Sequence, residues 1–296
     1  MTDAPTISVI MSVYNGERYV ARALFSILAQ SFSDFEVIVV DDGSGDATAD
    51  IVTSIRDDRI RLVRQENSGI TKSLNRAILL ARGKWVARHD ADDFSIFNRF
   101  EVQLRYLDQH PDVGILGSNC FIQPERVGVV NEIYDYPQNH EEIMAVFTTY
   151  NPIVHGAIMI DRALLLANGG YNEKYRYVQD YELWSRLLMQ TRTANLQTPL
   201  YVRSIHHGTS QQLVDKEPIF NEIRDNFITR YETAVDPSRF RNIESISLYP
   251  AVTLRGSWNR SLRTTLEKIS REARRHGMPW LGTRLHSLLY YPWSIS

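Results

Sequence analysis

The chain of 296 residues has one cysteine, Cys120, so no intramolecular disulfide can form and no cysteine-based metal site is expected. A lone thiol fits a reducing compartment. Long apolar runs are also missing. Stretches such as Ala163-Leu164-Leu165-Leu166-Ala167 are far too short to cross a bilayer. The first residues, Met1-Thr2-Asp3-Ala4-Pro5, have neither the basic region nor the apolar core of a secretion signal. Internal repeats and low-complexity tracts are absent. No strong charge of one sign exists either: the formal net charge is -2, which leaves no footprint for nucleic acid. The expectation is a cytoplasmic protein without a nucleic-acid partner, with contact at the inner face of the cell membrane left open.

What is present is ordinary for a soluble globular chain, with 43% hydrophobic and 23% charged residues. The length allows one large or two modest domains. The charge is unevenly spread: from Ala251 onward 8 Lys and Arg face 2 acids, about +6, which leaves about -8 for the rest.

Short apolar runs alternate with helical spacing. Ile7–Met11, Phe35–Val40, Arg59–Arg64 and Lys84–Ala87 predict strands. Helices are predicted between them over Arg18–Ala29, Ala47–Ile55 and Thr71–Ala81. This alternation implies right-handed crossovers and a largely parallel sheet. Roughly the first 110 residues form one doubly wound half. Beyond it, Gly114–Ser118 and Gly156–Ile160 predict strands, and Glu141–Thr149, Arg162–Ala167 and Tyr181–Thr191 predict helices. After the polar stretch Gly208–Lys216, the chain from Asp225 onward predicts a separate helical appendage.

The most informative segment is Arg88-His89-Asp90-Ala91-Asp92-Asp93, which follows a strand. Carboxylates this close repel, and some must hold protons unless something neutralises them. A divalent cation with oxygen ligands, shared with substrate phosphates, is one remedy. A solvated acidic turn is the alternative. Asp41-Asp42-Gly43-Ser44 also ends a strand. A carboxylate there suits a nucleobase N–H or a ribose hydroxyl, while Ser44 or Asp46 suits a helix cap. Tyr14, after Ser12 at the end of the first strand, either stacks on a base or packs under the next loop. Asn67-Ser68-Gly69 and Lys72 form either a plain turn with an exposed lysine or a close approach to a phosphate or base.

Taken in order, ISVIMSVYN (Ile7–Asn15), FEVIVVDDGS (Phe35–Ser44), Asn67–Gly69, DADD (Asp90–Asp93) and Asn98-Arg99-Phe100-Glu101 resemble family 2 glycosyltransferases. The resemblance covers about residues 5 to 210. It continues through Asn151-Pro152-Ile153-Val154-His155, Gly169-Gly170-Tyr171 and Val178-Gln179-Asp180-Tyr181-Glu182-Leu183-Trp184-Ser185-Arg186.

That resemblance implies a GT-A fold, a Rossmann-like α/β nucleotide-diphospho-sugar transferase, with a C-terminal helical appendage. It implies a catalytic domain over residues 1–215, with 1–110 as nucleotide-binding half and 111–215 as acceptor half, and a mostly helical extension over 216–296. Ser12, Tyr14, Asp42, Asn67, Lys72, Asp90 and Asp92 fall on the nucleotide-sugar side, with Asp41 as structural neighbour. Asp92 is the main metal contact of the DXD motif; Asp93 and His206 are further metal candidates for Mn2+ or Mg2+. His155 and Trp184 fall on the acceptor side. Asp180 maps to the catalytic base, and it also suits the start of a helix as its cap.

The pattern has departures. Gln179 replaces a usual glutamate, Ser204 a usual arginine, Phe97 a common proline before Asn98, and Gly156 a common proline after His155. Arg203 and His207 are candidates to compensate for Ser204. The implied activity is inverting, metal-dependent transfer from a nucleotide-sugar, UDP-linked by expectation, to an acceptor hydroxyl. The enzyme would be a hexosyl- or N-acetylhexosaminyltransferase in bacterial-type surface polysaccharide or glycolipid synthesis, its acceptor a glycan, a lipid-linked species or a small molecule. The alternatives are a non-catalytic nucleotide-sugar or glycan binder and a sugar nucleotidyltransferase.

The tail adds a further expectation. Trp258, Leu262, Leu266 and Ile269 share a helical face amid arginines. Residues 251–296 therefore suit an anionic membrane surface. Packing on the catalytic domain, or a homodimer contact, is the alternative.

Overall fold

The computed structural model describes residues 4–124, 132–206 and 216–234. His207 and the amphipathic tail lie outside the described residues.

Four strands build the first half: β1 (Ile7–Val13), β2 (Phe35–Asp41), β3 (Ile60–Arg64) and β4 (Trp85–Arg88). Strands β1, β2 and β4 are apolar along most of their length because parallel strands bury both faces. They pair in parallel, β1 with β2, β2 with β3 and β1 with β4. Helices α1 (Val20–Leu28), α2 (Thr48–Ser54) and α3 (Ile70–Leu80) connect them. Side chains alternate between two cores, as a period of two demands. Val9, Met11, Val37 and Val39 meet α1 through Val20, Leu24 and Ile27. Ile10, Ile38 and Val40 meet α3 through Leu74, Ala77 and Ile78 on the other face. The result is a three-layer α/β unit.

The second half is less regular. It contains β5 (Phe94–Ser95), α4 (Arg99–Gln109), β6 (Val113–Pro124), β7 (Glu132–Tyr134), α5 (His140–Phe147), β8 (Met159–Asp161), α6 (Arg162–Ala167), α7 (Gln179–Leu187), β9 (Arg192–Ile205) and α8 (Glu217–Ala234). The described strands join one nine-stranded sheet in the order β3-β2-β1-β4-β8-β6-β9-β5, with β7 on β6. Here the sheet turns mixed: β8 is antiparallel to β4 and β6, and β9 is parallel to β6.

Several expectations shift. Of the predicted strand Gly156–Ile160, only the end is strand, because His155–Ala157 form a 3-10 turn. Helix α7 starts at Gln179, two residues earlier than predicted, and α8 starts at Glu217 rather than Asp225. Helix α8 is not detached: Ile223 and Phe227 are buried in the core with Phe147 and Tyr181. Among the described residues, no helix is long and apolar enough to cross a membrane.

Register places the carboxyl ends of the parallel strands side by side. Val13 pairs with Asp41, and Ile10 pairs with Arg88. Strand order reverses between β1 and β4, and open α/β sheets bind ligands in the crevice outside such a reversal. The acidic turn, Tyr14 and Asp42 all leave from this edge.

Candidate active site

The acidic turn is sorted by its surroundings. Arg88 ends β4 with its side chain buried and pairs with the Asp90 carboxylate. Burial works to raise the Asp90 carboxyl, but Arg88 overrides it and holds it below its ordinary value. Burial and the Asp90 charge raise the Asp92 carboxyl, partly offset by His206. Burial, with the Asp90 and Asp92 charges, pushes Asp93 well above its ordinary value. His89 is fully buried and is driven down to about 3 by burial and by Arg99, so it is neutral at pH 7.

The three carboxylates therefore do different things. Asp92 Oδ2 lies 2.8 Å from His206 Nε2. Asp93 turns inward, is 3% exposed, and accepts from the Ser204 N–H at 2.7 Å and from the Tyr201 hydroxyl. Asp93 is one of the carboxylates expected to share the metal. It is a buried tie between the turn and β9. Among the described residues, no three His, Cys, Asp or Glu side chains converge as a metal site. The pair Asp92 and His206 remains, one oxygen and one nitrogen donor. That set fits a cation that completes its shell with diphosphate oxygens and water.

Tyr201 is central to this construction. Its hydroxyl accepts from the Asp90 N–H at 3.0 Å, and its ring meets Arg99 and the edge of His89. Gly156 makes room for it: a Cβ there would stand 2.3 Å from the Tyr201 hydroxyl oxygen. Arg99 is fully buried and donates to the Arg88 and Ile158 carbonyls, Ser95 Oγ and Gln103 Oε1. Its family-like position thus serves the scaffold under the turn.

On the β1–β2 side, Tyr14 is 56% exposed and presents an open ring, not one packed under a loop. Ser12 is half-buried beside it. Asn15 ties this loop to the next, taking the Gly45 N–H at 2.9 Å and donating its own N–H to Ser44 Oγ at 2.9 Å. Asp46, one residue before the Ala47 N-cap of α2, accepts from the Thr48 N–H at 3.0 Å; neither it nor Ser44 is the cap residue. Asp42 is buried and gathers the Asn67–Gly69 loop. Its Oδ1 accepts from Gln65 Nε2 and the Ser68 N–H, and its Oδ2 from the Gly69 N–H at 2.8 Å. Burial would raise this carboxyl, yet those hydrogen bonds hold it below its ordinary value. Gly43 takes φ +79°, and a Cβ there would stand 2.8 Å from the Asn67 nitrogen. Asn67 and Lys72 are exposed and line a cavity of about 440 Å³ with Arg176 and Glu173.

The third group lies at the start of α7. Asp180 Oδ2 accepts from Asn151 Nδ2 at 2.7 Å. Burial raises its carboxyl, opposed by the Tyr181 N–H, Arg88 and Asn151. The Arg88 charge acts on Asp180, His155 and Tyr171 alike, working to lower the pKa of each. Val178, two residues before Asp180, adopts φ 53°. A β-branched residue is strained there, and such strain clusters at functional sites. His155 Nε2 meets the Tyr171 hydroxyl at 2.6 Å, and burial and Arg88 drive its pKa well below the ordinary value. Trp184, expected on the acceptor side, is fully buried and packs T-shaped with His155. Arg186 fastens α7 to the Gly169-Gly170 turn through the Asn168 and Gly170 carbonyls.

Sequence reading assigned no role to Arg88, Tyr201, Tyr19 or Arg22. Arg88 carries a faint signal, a cation placed just before three carboxylates. The others carry none, because only the fold brings β9 and α1 to the acidic turn. Ser204, at the departure from the family pattern, is met by Arg22 of α1, whose guanidinium donates to Ser204 Oγ at 2.8 Å.

A strand-end crevice lined by carboxylates on an open α/β sheet defines a ligand-binding site. Residues 8–166, more than half the chain, match the model of glycosyl transferase family 2. The chain belongs to that family and is a glycosyltransferase. The putative glycosyltransferase EpsE of Bacillus subtilis is 34% identical over 208 residues, 68% of this chain and 73% of that protein. The O-antigen biosynthesis glycosyltransferase WbnJ of Escherichia coli is 31% identical over 214 residues, 70% of this chain and 82% of that protein. Among solved structures, S. aureus TarS 1-349 with UDP-GlcNAc gives a TM-score of 0.60 at 20% identity, covering 95% of this chain and 86% of its own. The mannosyltransferase PcManGT of Pyrobaculum calidifontis with GDP-Man and Mn2+ gives 0.53 at 17% identity, covering 100% and 89%. The structural likeness establishes a shared GT-A fold.

Proposed function

We infer that the enzyme moves a sugar from a UDP-sugar to an acceptor hydroxyl with inversion, in surface polysaccharide or glycolipid synthesis. The observation that carries this reading is Asp180. It is a carboxylate of raised pKa in the first turn of α7, hydrogen-bonded by Asn151 and preceded by the strained Val178. A general base is more effective as its pKa approaches working pH.

The donor's base stacks on Tyr14, with Asp42 Oδ2 accepting from its edge. Ser12, Asn67 and Lys72 line the same side, and Asp90 holds the ribose side of the turn. A Mn2+ or Mg2+ ion, held by Asp92 and His206, would supply charge stabilisation to the leaving diphosphate. Asn151 holds the Asp180 carboxylate, which takes the acceptor hydroxyl's proton as that oxygen bonds to the anomeric carbon of the donor sugar. The bond from that carbon to the diphosphate breaks, and the nucleoside diphosphate leaves with its electron pair. His155, neutral and fixed by Tyr171, lines the acceptor side above Trp184. The TarS complex with UDP-GlcNAc supports a UDP-sugar, the PcManGT complex with Mn2+ supports the metal, and the WbnJ relative supports the polysaccharide context. The basic, aromatic tail suits an acceptor carried on a membrane.

A thermal-shift screen of UDP- and GDP-sugars, with and without Mn2+, tests this. The expected result is a metal-dependent shift with UDP-sugars. Equal shifts without metal, or none with any nucleotide-sugar, would overturn the reading.

A further inference from the structure

Helix α1 reaches the two candidate metal ligands from outside the motifs. One nitrogen of the Arg22 guanidinium donates to the Asp92 main-chain carbonyl at 2.7 Å and to Ser204 Oγ at 2.8 Å. These acceptors lie on the two segments that carry the ligands: Asp92 itself, and Ser204 two residues before His206. The Phe94 ring, 5.3 Å from the guanidinium carbon, backs this group. Three residues earlier, Tyr19 stacks on the His206 imidazole, with centroids 4.5 Å apart and planes 20° from parallel. Tyr19 is the N-cap residue of α1 and Arg22 lies in the first turn, so both reach these segments from the start of one helix. Ser204 is small enough to leave this space to Arg22.

The geometry points to Tyr19 and Arg22 as positioning residues that set the affinity of the Asp92–His206 pair for its divalent cation. Arg22 fixes the backbone from which Asp92 projects and joins it to the end of β9. Tyr19 fixes the plane of the imidazole. Groups that orient ligands without touching the metal govern affinity by restricting ligand motion. The inference deepens the proposed metal site and rests on it. The guanidinium that the family pattern carries at position 204 is here delivered by α1.

The test is a Mn2+ titration of the full chain with UDP present, read by electron paramagnetic resonance of free Mn2+. Arg22→Ala and Tyr19→Leu each weaken binding, by about 10- to 100-fold. Melting temperature without metal is the control for folding. The double variant Arg22→Ala/Ser204→Arg returns a guanidinium from β9 and recovers affinity lost in Arg22→Ala. Unchanged Mn2+ affinity in both single variants overturns the inference while leaving the metal site standing. A double variant no better than Arg22→Ala overturns the positional exchange. If the unaltered protein takes up no Mn2+ with UDP, the proposed metal site itself fails and takes the inference with it.

Discussion

Asp180→Asn separates chemistry from structure more cleanly than any other substitution here. A carboxyl raised above its unfolded value favours the folded state when protonated and works against it once ionised. At pH 7 the Asp180 charge therefore costs stability, because burial outweighs the Tyr181 N–H, Arg88 and Asn151. The carboxamide oxygen of asparagine can keep the Asn151 hydrogen bond, 2.7 Å in the native protein. Loss of a charge in the first turn of α7 removes about 0.3–1 kcal/mol of helix-dipole interaction, which release of the buried charge offsets. Melting temperature is thus expected to stay level or rise slightly. Catalysis behaves differently. Removing a general base typically costs about 10²–10⁴-fold, or roughly 3–5 kcal/mol of barrier. The assay is release of UDP from the donor, with donor affinity measured separately by calorimetry. The prediction is a rate at least about 100-fold lower with donor affinity unchanged. A rate within a few-fold of wild type refutes the base assignment, and a collapse in donor affinity refutes the separation of base and donor sites.

Three other expectations follow from the scaffold. Gly156→Ala places a methyl 2.3 Å from the Tyr201 hydroxyl oxygen, which must yield its contacts with Asp90 and Asp93. The denaturant midpoint should fall by the equivalent of about 1–3 kcal/mol. Arg99→Ala strips donors from the buried Arg88 and Ile158 carbonyls and should cost about 3 kcal/mol or more in the same measurement. His89 is held neutral to about 3 in the folded state, whereas unfolded it titrates near 6.5. Its stabilising contribution is present above 6.5 and is lost as pH falls toward 3. From pH 7 to 5 that loss is about 2 kcal/mol. Asp93 has the opposite sign, its contribution being present below 3.8 and lost as pH rises through its raised value. Urea midpoints at pH 7 and 5 should fall less for His89→Asn than for wild type; equal falls would show that His89 is not buried neutral.

The first half of the fold was legible because buried parallel strands are written as apolar runs. Strands β1, β2 and β4 stand within two residues of their predicted bounds for that reason. Helix α4 went unread because Arg99 and Gln103, both polar, point into the core. Pro199–His206 aligned with a strand and loop of the family, but the part of β9 before Pro199 went unread, because Pro199 sits where the pairing with β6 slips between Ser118 and Cys120. At such irregularities a missing N–H is tolerated. The acidic positions of the site were legible from charge density and order along the chain. Their division of labour was not. Asp90, Asp92 and Asp93 look alike in sequence, and only Arg88, His206 and the Ser204 N–H make one an ion pair, one a ligand candidate and one a buried tie. Tyr19 and Arg22 have no local signature, since their partners lie 70 or more residues away.

The central claim is that the Asp92–His206 pair, at the crevice of the parallel strands, serves the diphosphate of a nucleotide-sugar. Steady-state release of UDP from a UDP-sugar by the full chain, titrated with Mn2+ in wild type and in Asp92→Asn, tests it most directly. Release is expected to require the metal in wild type and to fall at least about 10-fold in Asp92→Asn at the same Mn2+ concentration. Release without metal, or undiminished release by Asp92→Asn, would contradict it.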